Sequence, residues 1–199
     1  MSAPEPDIAT RTALYRRAEQ PVRRLFGEHF GRLCAACGDV ARETGEHVCC
    51  CIGVPCVKHI DKSPVLRAMV ESSNEAAALV SRCRSAHVDT FLGPAGCTLD
   101  WGRPPPCNAC ICTPQRQCLL SVLPSARVLA FSRALRTYAL IADPALRNLS
   151  TLEREVSALE RETAVADTAI RTQPARFAEA VDKEISRLRR FAAQFSPGN

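Results

Sequence analysis

A mainly α fold is predicted for this chain by three observations. Apolar residues recur at intervals of three and four near both ends; every cysteine lies between Cys34 and Cys118; glycine and proline gather between Leu92 and Pro114. These describe helices around a loop-rich cysteine core, followed by a C-terminal antiparallel helical hairpin. The expected parts are an N-terminal helix over 1–32, a cysteine-rich domain over 33–120 and the hairpin over 121–199.

The elements follow in order. From Pro6 to Phe30, Leu14, Ala18, Val22, Leu25 and Phe26 mark one helix face, with Pro21 expected to kink or divide it. Ser63 caps a second helix whose first position is Pro64, and Leu66, Met69, Val70, Ala77 and Val80 form its stripe. Between Leu92 and Pro114 the run Pro104, Pro105, Pro106 and Gly93, Gly96 and Gly102 forbid regular structure, so metal ligation is expected to supply the order of that loop. Pro124 and Ser125 open a helix ending near Asp143 and Pro144. Leu149, Leu152, Val156, Leu159 and Thr163, then Val181, Ile185, Leu188, Ala192 and Phe195 after Pro174, step as a heptad seam would.

Composition excludes several classes. With 199 residues, 46% of them apolar, the chain has material for a hydrophobic core and does not need cysteines to replace one. No uncharged run of 18 residues is present, so no membrane span is expected, and the acidic start "MSAPEPDIATRTALYRRAEQ" lacks the charge and apolar segment of a signal peptide. A cytoplasmic location follows as the expectation, where clustered thiols more often hold metal than disulfides. Residues 149–199 carry eight basic and eight acidic residues, so "RLRR" reads as a solvated helix face and no nucleic-acid contact is expected. No P-loop, Rossmann glycine motif, zinc-protease motif or nucleophile elbow occurs, and no catalytic residue is assigned.

The chemistry is concentrated in twelve cysteines. Cys34 and Cys37 form C-x2-C followed by Gly38, which would let the backbone turn around a metal; Cys107 and Cys110 repeat that spacing; Cys110 and Cys112 give C-x-C. Two thiolates so spaced can share one soft metal. Cys49, Cys50 and Cys51 are consecutive, and neighbouring side chains do not easily converge on one small ion, so the triplet implies more than one metal atom. Two sites with a few spectators is the natural count, Cys83 and Cys118 being the spectators chosen. Among the histidines His47 and His59 lie nearest the thiols in sequence, and both read as surface or supporting residues.

The motifs "CAACG" and "GCTLDWGRPPPCNACIC" resemble the YkgJ-like cysteine-cluster proteins, described as zinc- or iron-chelating domains. That family's pattern is C-x2-C-x2-C-C, then a Gly-Cys-Leu-like stretch and R-P-x2-C-x4-C. Gly96 and Cys97, Arg103 and Pro104, and Cys107 with Cys112 match its second half. Eleven residues separate Cys37 from Cys49 where the family has two. The resemblance covers residues 33–112 and implies metal ligation by Cys34, Cys37, Cys97, Cys107 and Cys112, with at least two of Cys49, Cys50 and Cys51; Cys110 joins the candidates on spacing. Arg103, between Gly102 and Pro104, is the candidate donor to a cofactor sulfur.

Three functions are compatible with these features. An iron–sulfur or multi-metal protein acting in electron transfer or in modification of a protein partner comes first. A structural zinc interaction module comes second. Storage of copper(I) comes third, because thiols in Gly- and Pro-rich loops do not line a bundle interior. A protein partner is expected to dock through the C-terminal helices, whose seam is otherwise buried internally or against a second copy of the chain.

Overall fold

The computed structural model describes residues 7–44, 55–86, 91–93, 96–99, 101–109, 111–143, 145 and 148–194, with side chains omitted at 92–93 and 96–97. The fold is mainly α. A first helix, α1 (Ile8–Thr44), is 37 residues long and forms the spine. Asp7 starts it by accepting the Thr10 N–H at 2.6 Å. Pro21 lies inside α1 without dividing it, and the helix runs on through the expected boundary at 32/33, so Cys34 and Cys37 are helical and Gly38 is not a turn.

Three helices follow: α2 (Cys56–Lys62), α3 (Pro64–Glu71) and α4 (Asn74–Ser85). Ser63 caps α3 by accepting the Leu66 N–H, with Pro64 at the first position as the sequence implies. The single helix expected to Val80 is two, because Ser73 starts α4 by accepting the Ala76 N–H at 3.3 Å. Strands β1 (Leu92–Gly93) and β2 (Gly96–Cys97) then pair antiparallel inside the region read as loop, and a short turn of helix, α5 (Pro105–Asn108), follows them. The chain continues through α6 (Thr113–Val122), α7 (Ser125–Ala134), α8 (Thr137–Ala142), α9 (Leu149–Thr172) and α10 (Pro174–Ala193).

The core is built around α1. Leu14, Tyr15, Ala18, Val22, Leu25, Phe30 and Leu33 are buried on it, against α3, α8, α9 and α10. Tyr15 and Tyr138 stack at a tilt with centroids 5.3 Å apart, and Phe30 meets Phe177 edge-on at 5.4 Å. The C-terminal seam is buried, yet not as the expected hairpin. α9 packs mainly on α1 and α7, and α10 on α1 and α6, each far more than on the other. Partner residues advance together along α1: Arg17 meets Glu160, His29 meets Asp167, Phe30 meets Phe177 and Arg32 meets Asp182. α10 therefore continues along the spine after Gln173 instead of folding back over α9. Amphipathic periodicity fixes which face is buried and leaves the partner open; here the partner is α1. Leu152, Val156 and Leu159 are fully buried within the chain itself. Among the described residues no helix is long and apolar enough to cross a membrane.

Candidate metal centre

The loop from Trp101 to Ala109 is held down by a buried carboxylate that the sequence reading overlooked. Glu19, 1% exposed on α1, accepts the backbone N–H groups of Gly102 (2.9 Å) and Arg103 (3.0 Å) and the Asn108 side-chain amide (3.3 Å). Burial pushes its pKa up, and the three donors and the Arg103 charge oppose that rise. The Tyr15 hydroxyl donates to the Arg103 carbonyl, which also accepts from Asn108 Nδ2 at 3.1 Å. Burial, with Glu19 nearby, holds the Tyr15 phenol well above its usual range, so it remains a donor. Trp101 lies under the Arg23 guanidinium, 5.2 Å from its ring centroid. Gly102 has φ +74°, and a Cβ there would stand 3.1 Å from Met69 Cβ, so glycine is required on both counts. Part of the order expected from metal thus comes from protein hydrogen bonds.

This clamp presents Cys107, on α5, to Cys56 at the start of α2. Their sulfurs are 3.7 Å apart. That is far longer than the roughly 2.05 Å of a disulfide. It is the length of a thiol–thiol hydrogen bond, and it also matches the edge of about 3.8 Å between two thiolates held at about 2.3 Å on one tetrahedral ion. Sequence spacing does not mark Cys56 as a ligand. Its partner is 51 residues away, beyond the reach of any spacing rule.

A second grouping forms at the other end of α1. Cys34 Sγ accepts from Gln115 Nε2 at 3.6 Å, while Gln115 Oε1 accepts the Cys112 N–H at 3.1 Å. One buried amide of α6 therefore joins Cys34 to Cys112, and Cys37 is buried nearly one helical turn beyond Cys34. Gln115 is thus a donor to a sulfur. Arg103 directs its Nε to the Leu99 carbonyl at 3.0 Å.

The remaining candidates divide cleanly. Cys49, Cys50, Cys51 and Cys110 lie outside the described residues, and Cys97 is described only as backbone in β2. None of the seven described thiols is in a disulfide, and six of them are in helices, with Cys112 capping α6. The expected placement in Gly- and Pro-rich loops does not hold for Cys34, Cys37, Cys56, Cys83 and Cys118. Cys118 is fully buried in the core, its thiol pushed up to about 12 by burial and by the nearby Glu184 charge. Cys83 packs against the edge of the core on α4.

Among the described residues the one group of three ligand atoms within 4.8 Å of one another contains no cysteine: Glu28, His29 and Asp167. His29 Nε2 is 2.7 Å from Asp167 Oδ1, and Arg171 pairs with both Asp167 and Glu28. The guanidinium already pairs with both carboxylates, so this is an ion-paired strap between α1 and α9. No family model, curated protein or solved structure matches the chain.

Proposed function

We propose that this chain is a metal-binding protein whose thiolates hold iron–sulfur or multi-metal centres, acting in electron transfer or in modification of a protein partner. The observation that carries the reading is the Cys56–Cys107 sulfur pair at 3.7 Å, held in place by the Glu19 clamp. The donor set suits the group: thiolates are the soft ligands that iron and zinc prefer, and Gln115 supplies the supporting hydrogen bond that such sulfurs take. Cys34, Cys37, Cys107 and Cys112 are the ligands that sequence spacing and the YkgJ-like resemblance propose, with Cys56 added from its position; Cys49, Cys50, Cys51, Cys97 and Cys110 are further candidates on sequence alone. A bound cluster would supply one-electron chemistry. The chain's own residues hold its thiols at fixed spacing and shield them.

The proposed partner is a protein. Because the apolar seam of α9 and α10 is buried on α1, docking would use their outward charged faces, where Lys183, Arg187 and Arg190 alternate with Glu179 and Asp182. Anaerobic expression with added iron, followed by iron, zinc and acid-labile sulfide measurement and an absorption spectrum, tests the metal. Brown protein with thiolate-to-iron absorption and sulfide is expected. Stoichiometric zinc without iron or sulfide would replace the cluster by a structural zinc site, and protein without metal would end the reading.

A further inference from the structure

The two thiol groupings stand at different heights on α1. Cys107 neighbours Asn108, which is bonded to Glu19. Cys34 lies fifteen residues further along the same helix, a rise of about 22 Å at about 1.5 Å per residue. One ion drawing ligands from both groupings would have to bridge that separation, whereas the edge of its ligand shell is only about 3.8 Å.

We propose that the chain carries two separate metal stations along α1, an inference that rests on the metal-binding reading above. In the first, Cys56 and Cys107 chelate one metal atom. A cubane cluster takes one thiolate per iron, so its cysteine sulfurs do not share a metal; a pair 3.7 Å apart suits a mononuclear ion or a two-iron cluster, in which each metal takes two. In the second, Cys34 faces the first turn of α6, where Cys112 is tied to it through Gln115, and Cys37, at i+3 of the same helix, is the candidate third thiol. The Gln115 N–H stabilises negative charge on Cys34 Sγ, so it supports the second station and leaves the first untouched. Thiolate donors at both stations favour tetrahedral iron or zinc.

The test is metal per chain in the full-length protein, purified anaerobically, with helicity checked by circular dichroism. The double variants Cys56→Ser/Cys107→Ser and Cys34→Ser/Cys37→Ser should each keep roughly half of the wild-type metal, and their combination should keep none. Loss of all metal in either folded double variant, or of none, overturns the two-station arrangement. Should a double variant fail to fold, release of metal to a chelator from wild type and Gln115→Leu decides: wild type should release in two phases, and Gln115→Leu should accelerate one of them several-fold. A single phase in wild type, or acceleration of both phases, rejects separate stations while leaving the metal-binding reading in place. Wild type that binds no metal removes both.

Discussion

Glu19 Oε2 accepts the backbone N–H of Gly102 at 2.9 Å, across 83 residues of chain. The bond turns a buried charge on α1 into the anchor of the segment that carries Cys107. Replacing Glu19 with Ala would leave two buried backbone donors and the Asn108 amide without their acceptor, at a cost of roughly 3 kcal/mol or more. Hydrogen exchange reads this directly. The Gly102 and Arg103 amides should stay protected when wild-type protein is treated with a chelator and lose protection in Glu19→Ala. Protection that vanishes with the metal alone would show that ligation, and not Glu19, orders this segment.

Gly102→Ala should destabilise by roughly 1–3 kcal/mol, because a side chain is strained at φ +74° and its Cβ would press on Met69. Gly27, in an exposed part of α1 with nothing within 4 Å of a new Cβ, offers the opposite case. Gly27→Ala should stabilise by up to about 1 kcal/mol. Denaturant midpoints that move in the same direction for both variants would contradict the backbone assignment.

Asp167 gives the α1–α9 strap a pH dependence. Arg171 first and His29 second hold its carboxyl below the usual range. A depressed carboxyl contributes stability above its unfolded pKa and loses it as pH falls through the lowered folded value. The side chain is 34% exposed, which limits the contribution to about 1 kcal/mol or less. Between neutrality and about pH 3, stability should therefore fall less steeply in Asp167→Asn than in wild type. Parallel curves would mean that the strap adds nothing.

Cys118, with its thiol near 12, should be among the last cysteines alkylated in the folded protein at about pH 8, since the thiolate is the reactive form. Cys118→Ala should keep full metal content and cost about 1–2 kcal/mol from the small void it leaves. Rapid labelling by mass spectrometry, or loss of metal in the variant, would remove Cys118 from the core and return it to the ligand set.

Local signals in the sequence suffice where chemistry is local. Ser63 with Pro64 and Pro174 each open a helix where expected, because caps and fixed backbone angles act within a few residues. What failed needed the third dimension. Gly38 after Cys34-x2-Cys37 suggests a turn around a metal, yet it is buried within α1. Leu152 and Leu159 announced a buried face, and nothing in their spacing distinguished α1 from α10 as the surface covering it. Spacing singled out Cys107, whereas its neighbour Cys56 is set by how α2 is carried back against α5, and Glu19 looked like one more charge on a polar helix.

The spine also sets the order of events in biosynthesis. α1 leaves the ribosome before α9 and α10, the helices that cover much of its apolar face and end at Ala193. At about 5–20 residues per second, the nascent chain carries an incompletely covered helix, with Cys34 and Cys37 on it, for up to roughly 7–30 s. During that interval those thiols are open to oxidants and to wrong metals, so the yield of correctly loaded protein should depend on translation speed and on the reducing power of the cell as much as on the final fold.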